Sequence, residues 1–159
     1  MLCEEKLEVF ENGFKDDKFN LEIRFYGKDA RRLLLAIIRE LYLPEYGEGY
    51  VYPFECAKEF WGISLEAEEI HSEEFRPNPV KFMNQSIRSR IERSMEETAL
   101  PGDVRKIIEL GGASVHRTKR GLLVIGRNFL LDERGYVFVF NKPSVSELIL
   151  KYLGMLDGT

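Results

Sequence analysis

The chain carries two cysteines, two histidines, one tryptophan and a single glutamine among its 159 residues. Each scarcity excludes something. Cys3 and Cys56 cannot by themselves build a disulfide framework or a four-ligand structural zinc site. They read as reduced, structural thiols, although a hyperthermophile interior also tolerates a Cys3–Cys56 disulfide. No G-x-S-x-G, phosphate loop, complete G-x-G-x-x-G or H-E-x-x-H stands in the sequence, so the commonest nucleophile, nucleotide and metalloprotease signatures are missing. The longest uninterrupted apolar run, Leu33 to Ile38, is far short of the roughly 20 residues a membrane span needs. Met1-Leu2-Cys3-Glu4-Glu5 lacks the regions of a signal peptide. The expectation is a soluble, cytoplasmic protein without a membrane partner.

Charge is what the chain has in abundance. Charged residues make up 31% of it, a balance that with so little glutamine resembles proteins of thermophiles. The net charge of −4 is unevenly spread: residues 1–80 hold 10 basic and 18 acidic side chains, residues 81–159 hold 13 and 9. An acidic first half and a basic second half suit either a polyanion or a second copy packed acidic face to basic face.

Periodicity outlines the elements. Leu7 and Val9 predict one arm of an N-terminal hairpin. A polar turn through Glu11-Asn12-Gly13 and Asp16-Asp17 follows, and Phe19, Leu21, Ile23 and Phe25 alternate along the other arm. Asp29 is the expected N-cap of a helix whose Ala30, Leu33, Leu34, Ile37, Ile38 and Leu41 keep to one face. Seven aromatics then crowd into residues 42–61, where Pro44, Gly47, Gly49 and Pro53 predict turns. Rings of this kind most often close a core. Displayed instead, Tyr46, Tyr50, Tyr52 and Trp61 form an interface. Ile63-Ser64-Leu65 reads as a strand and Pro77-Asn78-Pro79 as a break. Met83, Ile87, Ile91 and Met95 predict a helix over 81–97, in which Arg88/Glu92 and Arg93/Glu97 are spaced as ion pairs. Apolar strands follow at Leu122–Ile125 and Tyr136–Phe140. Ser144 and Glu147 form a capping box for a last helix that ends at Gly154.

The most specific stretch runs from Pro101 to Arg127. A short helix, 103–110, stops at Gly111-Gly112 with Val104, Ile107 and Ile108 on its buried side. An extended segment then reaches the basic turn Arg117-Thr118-Lys119-Arg120-Gly121. In topology, residues 81–127 resemble the second half of a winged helix-turn-helix domain. That resemblance implies phosphate contacts from Arg105, Lys106, His116, Arg117, Lys119 and Arg120. The plainer reading is a solvated turn whose cations serve solubility.

His71, among Glu68, Glu69, Glu73 and Glu74, is the one start for an enzyme. Glu68-x-x-His71 has the spacing of half a carboxylate-bridged metal site, and neighbouring carboxylates would make His71 a general acid. The second half of such a site is missing, and a solvated acidic face explains the cluster as well. The chain therefore reads as a single α+β domain over residues 1–159, with a subdivision near 77–80. It consists of an N-terminal β-hairpin plus helix, central helices, and a C-terminal antiparallel meander closed by a short helix. The favoured function is a non-enzymatic binding or assembly module with a protein partner or itself as partner, as a homodimer. Nucleic-acid binding through 116–120 comes second, and a metal-dependent or acid/base hydrolase centred on His71 third. No catalytic residue, cofactor or metal is assigned.

Overall fold

The computed structural model describes residues 7–46, 52–66, 70, 76–80, 84–98 and 100–157. Among them, eight strands form one antiparallel sheet: β1 (Leu7–Phe10), β2 (Gly13–Asp16), β3 (Leu21–Gly27), β4 (Asn78–Pro79), β5 (Ser114–Thr118), β6 (Gly121–Ile125), β7 (Phe129–Asp132) and β8 (Tyr136–Phe140). Their order across the sheet is β1-β2-β3-β8-β7-β6-β5-β4, so the N-terminal strands meet the C-terminal meander where β3 pairs with β8. The helices are α1 (Arg31–Tyr46), α2 (Tyr52–Trp61), α3 (Gln85–Glu97), α4 (Gly102–Glu109) and α5 (Ser144–Tyr152), the last running on into a 3-10 turn over Leu153–Asp157. This is the expected α+β domain, with its N-terminal hairpin, C-terminal meander and closing helix. None of the described helices is long and apolar enough to cross a membrane.

Two apolar layers hold the sheet between them. On one face α1, α2 and α5 bury Leu33, Leu34, Ile37, Phe54, Val145 and Ile149 against Ile23, Leu123, Leu130 and Phe138. On the other, Ile87, Ile91 and Met95 of α3 and Val104 of α4 cover Leu122, Val124, Phe129, Leu131 and Val137. The pleat sends successive side chains to opposite faces, so a strand covered on both sides reads as an unbroken apolar run. That is the pattern of Phe129-Leu130-Leu131 in β7, all four of whose residues, Asp132 included, are buried. β3 is covered mainly on one side and alternates, as its sequence predicts.

Several local expectations are corrected. The polar turn of the first hairpin contains a strand, β2, whose Asp16 is buried and accepts a hydrogen bond from the Tyr42 hydroxyl at 2.6 Å. The aromatic segment is largely helical where turns were predicted. Pro44 sits in the last turn of α1, and Pro53 falls in the first turn of α2, where a missing N–H breaks no helical bond. Ile63-Ser64-Leu65 is not a strand, whereas Asn78-Pro79 is, pairing with His116 and Arg117 as a short edge of the kind proline permits. Ser144 opens α5 without a side-chain cap, and the chain passes Gly154 within the 3-10 turn. Cys56 is fully buried and disulfide-bonded, which overturns the reduced-thiol reading. The only other cysteine, Cys3, lies outside the described residues.

Candidate interaction surface between α3 and α4

Asn84 starts α3 by accepting the Ile87 N–H at 2.9 Å, the N-cap geometry its short polar side chain favours. Ile87, Ile91 and Met95 then point inward at four-residue steps. Polar contacts lock the helix to the β7–β8 turn. Arg90 forks onto the Glu133 carboxylate, that carboxylate also accepts the Leu122 N–H at 2.9 Å, and the Ser94 hydroxyl donates to the Glu133 carbonyl at 3.1 Å. The expected Arg88/Glu92 and Arg93/Glu97 pairs do not form among the described residues. Arg90 reaches across to the sheet instead.

α4 follows after a short connection, and Arg105 donates to the Met95 carbonyl at 2.8 Å, pinning the start of α4 to the end of α3. Its own end is a Schellman turn. Gly111, at φ +77, donates to the Ile108 carbonyl at 3.0 Å, and Gly112 donates to the Ile107 carbonyl at 2.9 Å. Stopping the helix there leaves Leu110 as its C-cap, 76% exposed, with Ile107 one turn earlier at 41%. Val104 is buried as predicted, but Ile107 is not. Between the helices lies an open groove of about 470 Å³. Ile91, Met95 and Ile108 form its apolar part, while Arg88, Glu92, Glu96, Arg105 and Glu109 supply charge of both signs.

The residues proposed for a nucleic-acid wing are only partly brought together. β5 and β6 form the expected hairpin, with Lys119 and Arg120 at its turn. Lys106, Arg117 and Lys119 are exposed. Arg105 is turned to the Met95 carbonyl, and Arg120 donates to the Gly154 carbonyl at 3.3 Å. His116 and Ser114 lie on the strand face opposite Val115 and Arg117, where the Ser114 hydroxyl is 2.7 Å from His116 Nε2. Among the described residues, His116 Nδ1 is buried without a hydrogen-bond partner. Of the proposed aromatic interface, Trp61 is 7% exposed and donates its indole N–H to the Phe10 carbonyl at 2.6 Å, so it belongs to the core in this chain. The side chains of Tyr46, Tyr50 and Tyr52 fall outside the described residues, as does His71 with its acidic neighbours at 68, 69, 73 and 74. Among the described residues no three His, Cys, Asp or Glu side chains converge as a metal site.

Burial holds the His116 imidazole below its ordinary value of 6.5. The unfolded chain therefore takes up this proton first as the pH falls, and stability is lost from about pH 6.5 down to the lower folded value. His116→Gln is expected to flatten that part of the stability curve while leaving the neutral-pH end nearly unchanged. Urea titrations of both proteins at several pH values check this, and parallel curves would contradict it.

The family model described as Ph1570 protein matches residues 1–156, nearly the whole chain. The chain belongs to the Ph1570 family. It is similar at 53% identity to the crystal structure of ORF 1580, a hypothetical protein from the hyperthermophilic archaeon Pyrococcus horikoshii. The match covers 96% of this chain and 92% of that one, with a TM-score of 0.80. No curated protein matches it. The family description names no activity, so the function of this member has to be argued from its surface. The part of that surface that sequence reasoning missed is the Ile107/Leu110 step. Its signal was present: two large apolar residues three apart, the second directly before Gly111-Gly112, where the chain has no further helix to bury it.

Proposed function

We propose that this Ph1570-family protein is a non-enzymatic binding or assembly module, cytoplasmic, whose contact surface is the α3–α4 face. One observation carries the reading. Leu110, 76% exposed, stands beside a groove of mixed lining on two helices, α3 held by the Arg90–Glu133 contact and α4 by the Arg105 hydrogen bond to the Met95 carbonyl. Leu110 and Ile107 expose apolar area three residues apart on a fixed element, and covering a large apolar side chain is worth roughly 1.5–3 kcal/mol. A photo-crosslinking amino acid placed at Ile107 in the intact protein is expected to trap a protein in cells, itself or another. The adduct should vanish with Leu110→Glu. No adduct, or one indifferent to Leu110, would refute the surface.

A second reading keeps nucleic acid as the partner, supported by the exposure of Lys106, Arg117 and Lys119. It requires retention on DNA or RNA that is strong near roughly 50 mM salt and falls steeply by 200 mM. Protein that is not retained at the lower salt has no such role.

A further inference from the structure

We infer that a second site, in the layer on the other side of the sheet from α3 and α4, binds a small carboxylic acid with an apolar body, held by the Lys142 ammonium. The inference goes beyond the contact surface just proposed and does not depend on it. The site is a cavity of about 180 Å³ where the entry to α5 meets α1 and the turn between β2 and β3. That is below the roughly 300–1,000 Å³ of sites for drug-sized ligands, so its ligand is small. Phe19, Leu21, Leu41 and Val145 give it an apolar wall, and Lys142 carries the one formal charge in its lining.

Lys142 is held in place by the chain around it. Asn141 accepts the Glu22 N–H at 2.9 Å and donates to the Asn20 carbonyl at 2.9 Å, and beside it Lys142 donates from Nζ to the Phe19 carbonyl at 2.6 Å. An ammonium has three N–H donors. Among the described residues that carbonyl is the one partner of Lys142 Nζ, and no carboxylate pairs with it. A cation partly withdrawn from water against an apolar wall is costly until an anion pairs with it. Ser144, two residues on, adds a hydroxyl that caps nothing, so one carboxylate can accept from both side chains. Tyr42 also lines the cavity, but its hydroxyl donates to Asp16, which is not in the lining and also accepts the Lys18 N–H. The apolar remainder of the wall selects a carboxylate with a hydrocarbon body over a free phosphate, every face of which needs polar contact.

The test titrates isovalerate into the full chain at neutral pH and follows the methyl NMR signals of the protein. Saturable shifts are expected at Leu21, Leu41 and Val145. Isovaleramide has the same shape without the charge, and inorganic phosphate has charge without the hydrocarbon. Each should bind at least about tenfold more weakly than isovalerate, the worth of one hydrogen bond to a charged group. Lys142→Met should weaken isovalerate by the same factor and leave isovaleramide unchanged, with circular dichroism to confirm that the variant folds. The comparison of acid and amide on the wild type needs no variant, so it decides the matter even if Lys142→Met does not fold. No saturable shift at those methyls, acid and amide bound alike, or phosphate bound as tightly as isovalerate would each overturn the inference.

Discussion

Gly27→Ala is expected to destabilise the protein by about 3 kcal/mol, lowering its melting temperature by about 6–12 °C. Two costs combine. Gly27 has φ +88, where an alanine costs roughly 1–2 kcal/mol in backbone strain. A Cβ there would also overlap the Gly135 carbonyl oxygen, a backbone atom that cannot swing aside because it accepts the Lys28 N–H at 3.1 Å. Gly62 separates the two effects. It has φ +64 and nothing within 4 Å of an added Cβ, so Gly62→Ala should show the strain alone. Thermal melts of both variants check the difference, and equal losses would mean that β3 and the β7–β8 turn do not approach closely.

The second large effect belongs to Cys56. Reduction of a native disulfide costs about 2–5 kcal/mol, because the unfolded chain regains conformations that the crosslink had removed. Reductant should therefore lower the melting temperature of the wild type clearly. Cys56→Ala should start from a lower value and be insensitive to reductant, apart from a small loss for the cavity left at this fully buried position. A wild-type melt unmoved by reductant would show that the protein in solution carries no such bond. Intracellular disulfides persist in hyperthermophiles, and the Pyrococcus horikoshii relative places the family in such an organism.

How much of this was legible depended on how strongly each segment's own residues dictate its state. α1 was readable because six apolar residues keep helical spacing over twelve positions, and nothing else satisfies such a pattern. β3 was readable from its alternation. β2 was not, since Gly13-Phe14-Lys15-Asp16 holds one large apolar residue, and the burial of Asp16 depends on Tyr42, 26 residues away. α2 was hidden by Pro53, which breaks a helix in its interior and starts one in its first turn. The basic turn was found, but sequence could not tell that Arg105 and Arg120 are turned to carbonyls of the chain itself. The groove could not be read at all, because it exists only once α4 is pinned to α3. Two of its charged residues, Arg88 and Glu92, looked in sequence like an ordinary pair along one helix.

The pairing of β3 with β8 has a consequence for how the chain is made. Phe25 lies beside Phe138, 113 positions apart in sequence, so one edge of β3 has no strand to pair with until β8 leaves the ribosome. α1 and α2 can cover the first three strands on one face, but the edge of β3 that pairs with β8 must wait through the synthesis of more than half the protein. At about 5–20 residues per second that wait lasts several seconds, long compared with the microseconds in which a hairpin forms. Folding of this chain is thus closed by its last strand, and the interval before that closure is when its nascent form has most need of a chaperone.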